Sequence, residues 1–374
     1  MKSVYNLDNV KSNVQCNTFL DADNDGVTVA RYDKIRYSTV QRMTEQQVGY
    51  FWQPEEVDLS KDVRDFKKLT PAEQRIFTYN LRRQILLDSI QGRSPNLVFL
   101  PVVTLPEAET FIETWSFFES IHNRSYSHII RNVYSDPGEV FDGINNIQPI
   151  VDCAKSIAKY YDVLDYNNCY VRVHGYDDNL SLYEHKKSLW MALNAVNALE
   201  GIRFYVSFAC SWAFAEQKKM EGNAKVIKFI CRDENIHLMF TQNAIKTLPK
   251  EDPDFAKIRE ETRDECNALF VEAIEQEKEW AKFLFEEGSM IGLTEGLLCN
   301  YVEWIGHNRM RAIQLNSPYS PGQANPLPWT TSWIAGKTRQ AAPQETELES
   351  YVIGEIDKRV PENFMKDLAS KIKL

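Results

Sequence analysis

Residues 119–126 read ESIHNRSY, a glutamate, a histidine and a tyrosine spaced i, i+3 and i+7, directly after the apolar WSFF of 115–118. On a helix those three side chains share one stripe. The Glu-x-x-His spacing recurs as Glu234 and His237 in CRDENIHL (231–238). With six histidines in 374 residues, one such pair is easily met by chance. Two further acids lie in apolar surroundings, Asp88 in QILLDSI (84–90) and Glu200 in NALEGIRF (197–204). Four ionised carboxylates in a core would cost several kcal/mol each unless balanced. Two divalent cations supply that balance, and two neutral imidazoles complete their shells. One carboxylate from each of two helices, plus Glu-x-x-His from each of two others, is how di-iron and dimanganese helical bundles are built.

The bland alternative treats each residue alone. A single histidine is more often a hydrogen-bonded core or surface residue. Glu200 has a ready ion-pair partner in Arg203 three residues on, and a buried tyrosine usually only packs and satisfies its hydroxyl. Four such coincidences on four helices favour one metal site. Tyr126 then lies one turn beyond His122, where it can lose an electron and a proton.

Helical periodicity dominates the rest of the chain, over roughly 71–92, 105–134, 180–215, 219–248, 253–287 and 293–315. Thr70-Pro71 is a good helix start, and no set of alternating strands could build a sheet. CYVRVHGY (169–176) reads as a short hairpin. After Asn316 the chain turns Pro-rich, in NSPYSPGQANPLPW, and then polar. The expectation is an all-α bundle over 29–315, preceded by an extension (1–28) and followed by a linker and mobile tail (316–374).

Composition narrows the function. The chain is 43% hydrophobic and carries a net charge of −10 with no long Lys/Arg cluster, which argues against nucleic acid. Seven scattered cysteines without C-x-x-C fit free thiols in a reducing cytoplasm. The longest apolar stretch, Leu189 to Ala215, contains Glu200 and Arg203 and reads as a core helix, not a membrane span. DADNDG (21–26) imitates a calcium loop, but position twelve is Tyr32, and an Asx-rich turn is the better reading. No phosphate-cradling glycine loop is present.

These residues resemble the small, radical-generating subunit of class I ribonucleotide reductase. The similarity runs through VARYD (29–33), FWQPEEVD (51–58), LLDSIQGRSPN (86–96), ESIHNRSYSHIIRN (119–132), NALEGIRFYVSFAC (197–210), MEGNAKVIKFICRDENIHL (220–238) and APQETELESY (342–351). It implies a ferritin-like bundle, a homodimer, and two irons per chain, with manganese as the other possibility, activated by O2. Asp88, Glu119 and His122 would hold one metal and Glu200, Glu234 and His237 the other, with Glu119 and Glu234 bridging. Tyr126 would carry the radical inside a pocket of Phe204, Phe208 and Ile230. Asp233 would orient His122 and meet Trp52, and Tyr351, with Glu345 near it, would pass the oxidising equivalent to the large subunit. Two departures stand out: a short segment over 165–185, and a docking end, MKDLASKIKL, with three lysines. The alternatives are another ferritin-like oxidase, which needs neither Tyr126 nor Tyr351, and an iron-storage or structural bundle.

Overall fold

The computed structural model describes residues 16–21 and 29–334. Thr70 opens the helix Pro71–Gln91 (α3) with a reciprocal cap. Its hydroxyl accepts from the Glu73 N–H at 3.2 Å, while the Glu73 carboxylate accepts from the Thr70 N–H at 2.8 Å. Two helices precede it, Ser38–Gly49 (α1) and Ser60–Phe66 (α2). Pro106 begins α4, Pro106–Val133, which carries the ESIHNRSY stripe. A short α5 (Gly138–Asp142) leads to α6, Gln148–His174. The expected hairpin at 169–176 is not there: Cys169 to His174 form the last turns of α6, and the chain leaves at Gly175 with φ +80°. Its β-branched and aromatic residues suggested strand, but the helical stripe Ile150, Cys153, Ile157, Tyr161 and Leu164 is buried and overrides them.

The apolar run expected as one helix over 180–215 divides into α7 (Leu182–Ala198), a π-helical turn at Leu199–Arg203, and α8 (Tyr205–Glu216). Tyr205 to Phe214 are buried on every side, so α8 is the bundle's central helix. Among the described residues no helix is long and apolar enough to cross a membrane. Glu221–Glu251 (α9) follows, and the expected 253–287 helix breaks into α10 (Pro253–Glu261) and α11 (Arg263–Phe285). Between them Thr262 turns its hydroxyl back to the Ile258 carbonyl at 2.7 Å. The last elements are α12 (Glu295–Ala312) and a single turn, α13 (Thr330–Ile334). Gly306 lets α12 close on α11, since a Cβ there would clash with the Ile274 side chain.

The described residues contain only isolated β-bridges, so the architecture is all-α. Helices α3, α4, α8 and α9 pack against one another, and α1 lies across α4 and α9. After α12 the chain stays on the bundle: Leu327 is buried, and Trp333 stacks on Trp212 of α8 with centroids 6.0 Å apart. Tyr351, Glu345, the C-terminal MKDLASKIKL and most of DADNDG lie outside the described residues.

Candidate metal centre

Each acid singled out in the sequence arrives from a different element. Asp88 comes from α3, Glu119 from α4, Glu200 from the π-helical turn and Glu234 from α9. The turn is widened at Glu200, as π-bulges often are at functional positions. With His122 and His237 these residues are fully buried. Their donor atoms form two overlapping groups, each within 4.8 Å: Asp88, Glu119, His122 and Glu234, and then Glu119, Glu200, Glu234 and His237. Glu119 and Glu234 belong to both. His122 Nδ1 lies 3.2 Å from Glu119 Oε2 and 3.1 Å from Glu234 Oε1, and His237 Nδ1 lies 2.9 Å from Glu234 Oε2 and 3.4 Å from Glu119 Oε1. Both imidazoles aim the same nitrogen at the shared carboxylates.

The electrostatics of the protein groups themselves explain what the site needs. Burial, and then the fields of Glu119 and Glu234, raise Asp88 well above the ordinary carboxylate range. Burial and Glu234 do the same to Glu200. Burial acts against ionising His122, but Glu234, Asp233 and Glu119 outweigh it and raise it. Burial opposes the charge of Glu234 as well, yet Glu200 and His122 hold it below its usual value. Buried acids packed this closely need cations to offset their charge. Asp88 Oδ1 and Glu200 Oε2 are buried with no hydrogen-bond partner. Orphaned oxygens, hard O/N donors and two shared carboxylates fit a pair of divalent metal ions.

Around this cluster, Tyr126 donates its hydroxyl to Asp88 Oδ2 at 2.6 Å. Burial and the Asp88 charge raise the phenol well above its normal range. Phe204, Phe208 and Ile230 are all fully buried. Asp233 Oδ2 accepts from Trp52 Nε1 at 2.8 Å and stands 3.3 Å from His122 Nε2. Arg203 does not pair with Glu200. It turns to Gln276 and to Cys153 Sγ at 3.1 Å, while Arg83 pairs with Glu277.

A family profile described as "Ribonucleotide reductase, small chain" matches residues 30–326. The chain belongs to the ribonucleotide reductase small-chain family. It is 49% identical over 344 residues to ribonucleoside-diphosphate reductase 1 subunit beta of Escherichia coli, covering 89% of this chain and 91% of that one. It is also 49% identical to the corresponding subunit beta of Haemophilus influenzae, over 92% and 94% of the two chains. Among solved structures it is similar to the ribonucleotide reductase R2 subunit from Clostridium botulinum, with TM-score 0.72 and 25% identity over 82% of this chain and 91% of that one. The fold is shared with Streptococcus sanguinis dimanganese(II)-NrdF at TM-score 0.65 and 20% identity, over 82% and 99%. As a ribonucleotide reductase small chain it is part of an oxidoreductase that works with a large subunit.

Sequence reasoning missed three residues that touch the cluster. Gln47 of α1 meets His237 Nε2 at 2.5 Å, and Gln91 of α3 donates to Glu200 Oε1 at 2.9 Å. Trp115 donates to Glu119 Oε1, also at 2.9 Å. Trp115 was within reach of the pattern, four residues before Glu119. Nothing local marks the two glutamines.

Proposed function

We propose that this chain generates and stores the radical of a class I ribonucleotide reductase. Asp88, Glu119 and His122 would hold one metal and Glu200, Glu234 and His237 the other, with Glu119 and Glu234 bridging. Bound there, a di-iron pair, or a dimanganese pair in its place, supplies one-electron oxidation driven by O2. The observation that carries the proposal is the 2.6 Å hydrogen bond from Tyr126 to Asp88 Oδ2. When the phenol is oxidised its proton has an acceptor already in hydrogen-bond contact, the Asp88 carboxylate. The buried Phe204, Phe208 and Ile230 keep water and reductants from the resulting tyrosyl radical.

Trp52, Asp233 and His122 form the connected route away from the site, with the indole N–H anchoring the carboxylate that orients the imidazole. From Trp52 the oxidising equivalent passes by way of Tyr351 to the large subunit, where ribonucleotides become deoxyribonucleotides. The tail docks that partner, the chain acts as a homodimer, and it works in the cytoplasm, a reading supported by seven scattered cysteines without C-x-x-C.

Tyr126→Phe tests the proposal because it deletes one hydroxyl and leaves the ring and all six ligands. Iron-loaded, oxygen-exposed variant and wild type are compared by spin resonance and nucleotide reduction with the large subunit. The variant should keep two irons per chain and lose both the tyrosyl signal and turnover. An unchanged tyrosyl signal would sink the assignment.

A further inference from the structure

The Gln47 side chain is fully buried, and its amide nitrogen stands 2.5 Å from His237 Nε2 while its amide oxygen has no partner. The opposite face of the same imidazole, Nδ1, meets Glu234 and Glu119. A metal on Nδ1 requires that nitrogen to be proton-free, so Nε2 carries the hydrogen and needs an acceptor. A half-turn of the Gln47 amide about its last bond converts a nitrogen–nitrogen contact into an N–H···O bond. The same half-turn satisfies the orphaned oxygen. A second amide holds the other unshared donor of this group: Gln91 Nε2 donates to Glu200 Oε1 while its own Oε1 accepts from Tyr161 at 2.7 Å. Glu200 Oε2 is thereby left pointing free as the donor oxygen.

We infer that Gln47 is a positioning residue, whose amide oxygen takes the Nε2–H of His237 and locks Nδ1 toward the shared carboxylates. The inference rests on the metal-pair reading of the site and adds to it a frame for one half. His122 is oriented by an anion, Asp233, that continues to Trp52. His237 is oriented by a neutral amide on α1.

Manganese(II) titrated into the full chain, with the free ion followed by spin resonance, tests this without turnover. Wild type should take up two ions per chain. Gln47→Leu, which keeps the volume, should hold one ion as wild type does and the second about 10–100-fold more weakly, the usual effect of losing a ligand's hydrogen-bond partner. Gln47→Glu offers His237 an acceptor again and should restore the second site. Wild-type affinity at both sites in Gln47→Leu overturns the inference. So does equal weakening of both sites that Gln47→Glu fails to repair, which would assign Gln47 to packing of α1. Failure of wild type to bind two ions would overturn the metal reading itself, and is seen before any variant is compared.

Discussion

The two halves of the candidate centre share Glu119 and Glu234 and differ in the groups hydrogen-bonded to their unshared residues. Asp88 receives the Tyr126 hydroxyl and His122 faces Asp233 with Trp52 behind it. Glu200 and His237 face Gln91 and Gln47. The first set of neighbours contains two oxidisable aromatics and a carboxylate. In the second, the direct hydrogen-bond partners are amides, which neither titrate nor give up an electron at working pH, with the Trp115 ring 5.2 Å from His237 and Tyr161 behind Gln91. A nearly symmetric set of candidate ligands is made asymmetric by its surroundings, since only the Asp88 side has a tyrosine hydroxyl bonded directly to one of them.

The largest effect expected from breaking this comparison lies in the shared ligands. Glu234→Ala removes a donor from both halves, and His237→Ala removes one from the amide side alone. Each variant, loaded anaerobically with iron and then exposed to oxygen, should retain at most one tightly held ion by metal analysis. Two tightly bound ions in both variants would refute the ligand assignment.

A third buried histidine separates acid effects on the centre from acid effects on the fold. His185 accepts from the Tyr176 hydroxyl at Nδ1, and Nε2 contacts Asn168 Oδ1 at 2.7 Å. Burial pushes its pKa down to about 4. The unfolded chain takes a proton near pH 6.5, before the folded one does. His185 therefore contributes stability that is complete above pH 6.5 and is lost as pH falls through about 4, a change of about 3 kcal/mol. His185→Gln should flatten the denaturation midpoint between about pH 6.5 and pH 4. An equally steep acid limb in the variant would move the effect to the carboxylate cluster.

The smallest effect sharpens the contrast between two buried tyrosines. Tyr161 is buried like Tyr126 but bonds Gln91 in place of the Asp88 carboxylate. Tyr161→Phe should lower unfolding stability by about 1 kcal/mol, one hydrogen bond. It should leave the tyrosyl signal and nucleotide reduction in place. Loss of the signal in Tyr161→Phe would end the division into an oxidisable and an inert side.

Much of this was legible before any fold was known. The two Glu-x-x-His pairs and the Tyr126 stripe are local patterns, and helical geometry brings their members together whatever the rest of the chain does. Asp88 and Glu200 were legible as acids where acids are costly. The π-helical turn around Glu200 was not, because its apolar run continues the helical pattern on both sides. Arg203 sat at ideal spacing for Glu200 and went elsewhere, since Gln276 and Cys153 meet it from α11 and α6. The α6 helix was missed over CYVRV for the same kind of reason: burial of a stripe further up the helix outweighs local strand preference.

By itself, then, the sequence determined which buried acids and histidines gather in one cluster, the all-α class and the tyrosine one turn from His122, because each depends on residues within two turns of one another or on the cost of a charge in an apolar run. Only the tertiary structure decided what stands behind each ligand. Gln47 is 190 residues from His237, and Gln91 is 109 from Glu200. A buried glutamine carries no charge whose cost would mark it, so its partner is named only when α1 and α3 pack against the bundle and one of its polar atoms must be satisfied.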